Sequence, residues 1–237
     1  MDSTEGVWDQ RFIMNTSGDS SDRSLYSRMY RAFVGVATIC GIVIFFVYQI
    51  TAPIIADNQD RALEAAIYKV LPEVVSKKVF YLDTAGSFVT EELQSNHVIY
   101  ATYNLNQQLL GFAIPAQGMG YQDNIHLLYG YDPYQQAVVG IQILHSRETP
   151  GLGSRIEDDP KFVENFHRLD VRLNKAMNAL ANAIVLVKPG KKTEAWEIDS
   201  ISGATISSKA VGNIIQQSAS FWLPKIKQHY KEFEFGN

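Results

Sequence analysis

Residues 32–56 read AFVGVATICGIVIFFVYQITAPIIA, 25 consecutive positions without a formally charged side chain. About 20 apolar residues in a helix are enough to cross roughly 30 Å of hydrocarbon. Core helices of soluble proteins seldom run this long without a charge, so the segment predicts one transmembrane helix over 29–56. A cleaved signal peptide fits poorly. The run is too long, starts too far into the chain, and no Ala-x-Ala site follows it. Cys40, preceded by Thr38 and Ile39, does not match a lipoprotein cleavage site and reads as a small apolar residue of the span. Arg23, Arg28 and Arg31 precede the span, whereas Asp57, Asp60, Arg61 and Glu64 follow it. Positive residues stay on the cytoplasmic side, which predicts an inside N-terminus and residues 57–237 outside. Tyr30 and Tyr48 fall where interfacial aromatics anchor a span. Residues 1–28 are expected to form a disordered cytoplasmic tail, its first part rich in Ser, Asp and Gly.

The 57–237 segment is long enough for one domain with its own core. Ala62, Ala65, Ala66 and Val70 have helical spacing over 58–70, and Leu71-Pro72 ends that helix. Segments at 78–82, 98–103, 109–115, 125–130 and 136–145 are short and rich in aromatic or β-branched residues. They read as strands of a largely antiparallel sheet, with turns at 104–107 and Asp132-Pro133. A short helix is expected over 160–168, a strand over 183–187, and a helix over 205–222 with Pro224 near its end. In the last helix Ile206, Ala210, Ile214, Ile215, Ser218 and Trp222 share one face. Strands followed by helices give an α+β class: one N-terminal transmembrane helix, then a single extracytoplasmic domain with a largely antiparallel sheet flanked by helices.

Composition narrows the chemistry. The chain has 25 acidic and 21 basic side chains, a net charge of −4, and so no bias toward nucleic acid. A single cysteine excludes an internal disulfide and a Cys-ligated iron–sulfur or zinc site built by this chain alone. Five scattered histidines include no His-x-x-x-His pair, and no Ser-His-Asp, Cys-His or paired-carboxylate set stands out. Chemistry is therefore expected from a cofactor that the protein positions and tunes.

Two segments are unusual. In HSRETPGLG, residues 145–153, Pro150-Gly151 suits the centre of a type II turn, which would present Glu148 and Thr149 at the loop's shoulder. An ordinary strand-ending turn and a loop shaped for a flat ring or an anion both fit this pattern. In DSISGATISS, residues 199–208, a Gly-containing turn leads straight into the last helix. Plain capping by Ser202 or Thr205 explains it, and so does a phosphate at the free amides of the first turn.

Taken together, the span, the TAPII segment at 51–55, Leu71-Pro72, ETPGLG at 148–153 and DSISGAT at 199–205 resemble the G subunits of Rnf ion-translocating electron-transport complexes. The related C subunits of Na⁺-pumping NADH:quinone oxidoreductases carry the same FMN-binding domain. The family's flavinylation pattern is Asp, two variable positions, Ser or Thr, then Gly-Ala-Thr. Asp199, Ser202, Gly203, Ala204 and Thr205 fill every fixed position.

The resemblance implies FMN joined through its phosphate to the Thr205 hydroxyl by a separate flavin transferase that uses FAD and Mg²⁺. Ser207 and Ser208 are weaker attachment candidates. Asp199 is assigned to the transferase reaction or the turn. Glu148, Thr149, Gly151 and Leu152 are implied contacts of the ring or ribityl chain, and Lys209 is a candidate partner of the phosphate. Tyr121, Tyr129, Tyr131 and His145 lie on neighbouring segments, where a flavin role and a core or strand role both remain open. The implied function is an electron relay in the bacterial inner membrane, not catalytic alone. It would serve electron exchange between ferredoxin and NAD⁺ coupled to Na⁺ or H⁺ movement, with the other complex subunits, the flavin transferase and membrane lipid as partners. Three other readings stand beside it: the quinone-reductase C subunit, a membrane-tethered flavin-binding sensor or assembly module, and a structural domain without flavin. The stretch RIEDDPKFVENF at 155–166 is more similar to the Rnf subunit.

Overall fold

The computed structural model describes residues 19–91, 93 and 97–234. Residues 1–18 of the expected tail lie outside the described residues, whereas 19–28 are helical and continue the span's own hydrogen-bond ladder. Helix α1 covers Asp19–Val70 with Pro53 inside it. Its Leu25–Val70 portion is long and apolar enough to cross a membrane, and Phe33, Ile39, Phe45 and Ile50 are exposed along it. The chain divides into two compact units, Met1–Asn58 and Gln59–Asn237.

The second unit is built on a seven-stranded sheet in the order β2-β1-β3-β4-β5-β6-β7, antiparallel throughout. The strands are β1 Ser76–Leu82, β2 Phe88–Val89, β3 Val98–Tyr103, β4 Leu109–Met119, β5 Asn124–Asp132, β6 Ala137–His145 and β7 Leu169–Asp170. After the sheet come a 3-10 turn at Gly153–Ile156, helix α2 at Pro160–Glu164, strands β8 Val185–Val187 and β9 Glu197–Asp199, and helix α3 at Thr205–Gln228. Strands β8 and β9 pair in parallel and form a separate ladder. The mainly antiparallel α+β expectation therefore stands, with this parallel pair as its exception.

Alternation along the strands sorts side chains onto two faces. One face carries Phe112, Ile114, Leu127, Tyr129 and Val138 against Val211, Ile214, Ile215, Trp222 and Leu223 of α3. Burying each such side chain contributes about 1.5–3 kcal/mol. The opposite face carries Ala113 and Leu128 against Ala66, Ile67, Val70 and Leu71 at the end of α1. There Gly130 and Gly140, directly paired across β5 and β6, leave room for the Val70 backbone. A Cβ at Gly130 would stand 2.5 Å from the Val70 carbonyl oxygen, and one at Gly140 would stand 2.7 Å from it.

Two helices end differently from the sequence expectation. Helix α2 stops at Glu164 rather than at 168, because the Asn165 side chain turns back and donates from Nδ2 to the carbonyls of Lys161 (3.2 Å) and Phe162 (3.0 Å). Helix α3 runs through Pro224 to Gln228. Buried Trp222, Leu223 and Ile226 hold both sides of the proline on the sheet and outweigh the lost hydrogen bond.

At the far edge, the Arg172 guanidinium grips the Asp170 carboxylate through Nε (3.0 Å) and Nη2 (2.7 Å). Burial pushes the Asp170 carboxyl up, but the hydrogen bonds and charge of Arg172 outweigh it and hold the group below its usual range. A depressed carboxyl stabilises the fold above the ordinary carboxylate pKa, and that stability is lost as pH falls through the depressed folded value. Asp170→Asn is therefore expected to lower the melting temperature near neutral pH, and the gap to the parent should close below about pH 3. Gly140→Ala forces backbone against a new methyl group. It should cost about 1–3 kcal/mol, read as a melting temperature several degrees lower with the sheet signal in circular dichroism retained.

Candidate functional site

The loop after β6 and the turn before α3 have the same local design. Thr149, Pro150, Gly151 and Leu152 form a turn closed by the Leu152 amide donating to the Thr149 carbonyl at 3.1 Å. Gly151 sits at φ +73°, as the third position of a type II turn requires. Ile201, Ser202, Gly203 and Ala204 form the second, closed by the Ala204 amide to the Ile201 carbonyl at 3.0 Å, with Gly203 at φ +83°. The turns approach each other: a Cβ on Gly203 would lie 3.7 Å from Leu152 Cδ2. Arg155 ties them further, donating from Nη1 to the Ser202 carbonyl (3.2 Å) and pairing through Nη2 with Asp159 (2.6 Å).

Between the turns lies an open cavity of about 380 Å³. Thr149, Leu152 and Gly153 form one wall, Gly203, Ala204, Thr205, Ile206 and Ser207 a second, and Tyr121 a third. Volumes of this order hold small ligands. Its rim is apolar but faces solvent: Tyr121 is 61% exposed, Ile206 58% and Leu152 52%. Sequence spacing puts Ile206 on the core face of α3; the structure turns it to the cavity.

The three hydroxyls of the first turn of α3 have different surroundings. Ser208 is buried, donates to the Ala204 carbonyl (2.8 Å) and accepts from the Ile201 amide (3.1 Å). Ser207 is buried and donates to the Glu148 carboxylate. Thr205 is exposed, and its hydroxyl forms no hydrogen bond among the described residues. The N-cap is Ala204, and no side chain caps the helix. The expected capping by Ser202 or Thr205 is thus corrected, because the Gly203 turn carries Ser202 outward and Thr205 already lies inside the helix. A free hydroxyl beside uncapped amides and the positive end of a 24-residue helix suits a phosphoester.

The other expected contacts are distributed unevenly. Thr149 and Leu152 line the cavity, and Gly151 shapes its turn. Glu148 is not presented to a ligand; it is 4% exposed, with Oε1 accepting from the amides of Tyr121 (2.8 Å) and Gln122 (3.1 Å). Asp199 and Ser202 line a neighbouring cavity of about 550 Å³ with Arg155 and Lys161. The Asp199 carboxylate there accepts from the amides of Lys191 (2.9 Å) and Lys192 (3.1 Å). Lys209 is exposed on α3 and lines neither cavity. Tyr121 is on the rim, whereas Tyr129 is core and bonds Ser218 at 3.0 Å. Tyr131 lines a different small cavity, with Tyr134 and Tyr230. His145 is exposed opposite His126 on β5.

Residues 120–220 match the model of the FMN-binding domain family, a range that contains every wall of the cavity. The G subunit of the ion-translocating oxidoreductase complex of Pasteurella multocida is 28% identical over 202 residues, covering 81% of this chain and 91% of that protein. The G subunit of the proton-translocating ferredoxin:NAD(+) oxidoreductase complex of Clostridium ljungdahlii is 28% identical over 180 residues, covering 76% and 82%. The crystal structure of NqrC from Shewanella oneidensis has a TM-score of 0.50 with 16% identity, over 72% of this chain and 87% of that one, a likeness of fold. The resemblance read from the sequence is borne out: residues 120–220 match the FMN-binding domain, and the relatives named above are G subunits of ion-translocating oxidoreductase complexes.

Proposed function

We propose that this chain is the membrane-anchored flavoprotein subunit of an Rnf-type ion-translocating oxidoreductase, and that its FMN is held covalently, through the phosphate, on Thr205. One observation carries the attachment: of the three hydroxyls at the start of α3, those of Ser207 and Ser208 are buried and hydrogen-bonded, and that of Thr205 is exposed and unbonded among the described residues. The match of residues 120–220 to the FMN-binding domain and the likeness to G subunits of such complexes support the wider reading.

When bound, FMN supplies reversible electron transfer, so the chain needs no acid, base or nucleophile of its own for the redox step. The chain's residues hold and shield. The first-turn amides of α3 and its dipole would stabilise the phosphodiester charge, and Lys209 in the next turn would add positive potential. Leu152, Ile206 and Tyr121, exposed at the rim, would cover the apolar part of the flavin ring and exclude water from it. Gly151 and Gly203 keep backbone, rather than side chains, at the two turns. During maturation the Thr205 oxygen forms a new P–O bond to the FMN phosphorus of FAD, AMP leaves, and the hydroxyl proton is released. A flavin transferase with Mg²⁺ carries out the exchange, and Asp199 serves that reaction or the turn.

In this reading the subunit relays electrons for transfer between ferredoxin and NAD⁺, and the coupled Na⁺ or H⁺ path runs through other subunits. Residues 32–56 carry no charged side chain, and ion paths within membranes are built from polar or ionisable groups. The chain is anchored in the bacterial inner membrane with residues 57–237 on the extracytoplasmic side, where a covalent bond keeps the cofactor from being lost.

Co-expression of the full chain with a flavin transferase should give a fluorescent band after denaturing electrophoresis, and Thr205→Val should abolish it. A band that persists in the variant places the bond elsewhere; a dark parent chain defeats the covalent reading. In spheroplasts, added protease should degrade residues 57–237; protection of that segment would reverse the orientation.

A further inference from the structure

We infer that Glu148 is a positioning residue: its buried carboxylate joins the three segments that wall the cavity and sets where Thr205 stands relative to Leu152 and Tyr121. The inference rests on the flavin site proposed above and assigns a role to a residue that makes no contact with the cavity itself.

The geometry is specific. Oε1 accepts from the backbone amides of Tyr121 and Gln122, in the turn between β4 and β5. Oε2 accepts from the Ser207 hydroxyl, in the first turn of α3. Glu148 itself belongs to the loop that continues into Thr149 and Leu152. One carboxylate therefore connects three stretches that are otherwise distant in sequence, and each contributes to the cavity lining. Glycines make its seat: a Cβ at Gly153 would lie 2.7 Å from Oε2 and 2.8 Å from the Ser207 oxygen, and one at Gly120 would collide with Oε1. The group is buried and both its oxygens are hydrogen-bonded, an arrangement costly to break by removing one side.

A glutamine at 148 keeps this network without the charge. Its carbonyl accepts from Tyr121 and Gln122, and its NH₂ donates to the Ser207 oxygen, whose hydroxyl rotates to allow it. An alanine removes all three tethers, and Ser207→Ala removes only the one to α3. The three variants thus separate position from charge.

The test uses the full chain co-expressed with a flavin transferase, with flavin per chain read from in-gel fluorescence at limiting transferase. Amide hydrogen exchange at Tyr121 and Gln122 in the unlabelled chain is read alongside it. Glu148→Ala should lower the initial labelling rate on the order of 10- to 100-fold, as misplaced reacting groups do. It should also speed exchange at both amides and alter the emission of whatever flavin is attached. Glu148→Gln should restore most of the label, the protection and the parental emission. Ser207→Ala should slow labelling while leaving the Tyr121 and Gln122 amides protected.

Parental labelling and emission in Glu148→Ala would overturn the inference. Equal loss in the glutamine and alanine variants would also overturn it, since charge rather than tethering would then be the requirement. If Glu148→Ala loses cooperative unfolding, Ser207→Ala decides alone, and parental labelling in it refutes the role. A parent chain that takes no label defeats the covalent reading instead, and that outcome is distinct from these.

Discussion

Helix α3 has to satisfy two demands that pull against each other. Its length must bury an apolar face on the sheet, and its first turn must stay open. Val211, Ile214, Ile215, Trp222 and Leu223 meet the first demand by closing over β4 and β5. The second is met by the turn before it, where Gly203 at positive φ delivers the chain so that Ala204, which has no capping side chain, becomes the N-cap. The packing that holds the helix therefore also holds the Thr205 hydroxyl in solvent. Serines at 207 and 208 face inward on the same turn and are consumed by the protein's own hydrogen bonds.

Much of the fold is legible in the sequence because its signals are local. The uncharged stretch at 32–56, the strand segments from 78 to 145 and the helical spacing after Thr205 each carry their own periodicity. The short pieces escape: β2, β7 and β9 have two or three residues each, too few for any period, and they are strands only because a neighbour supplies the ladder. Pro224 reads as a boundary because a proline costs a helix one hydrogen bond. Nothing local reveals that Trp222 and Ile226, on either side of it, are both anchored in the core.

The candidate site divides along the same line. The two motifs and the hydroxyl of Thr205 are contiguous in sequence and legible directly. The role of Glu148 is not, because a carboxylate next to a turn ordinarily points to solvent. Its burial depends on amides 26 and 27 residues away and a hydroxyl 59 residues away. The available signal is indirect: glycines at 120 and 153, one on each side of the space the carboxylate occupies. Asp199 shows the reverse case, a residue fixed by the motif whose carboxylate is taken up by backbone amides at Lys191 and Lys192.

The sheet has a consequence for biogenesis. From β3 to β6 consecutive strands are neighbours, so this part is a meander that can zip up in the order of synthesis. Helix α3 has no surface to lie on until that zipping is done. The Thr205 hydroxyl at its start therefore takes its place only after the meander has formed. With flavin attached at Thr205 as proposed, a labelled chain would be one whose meander had already formed.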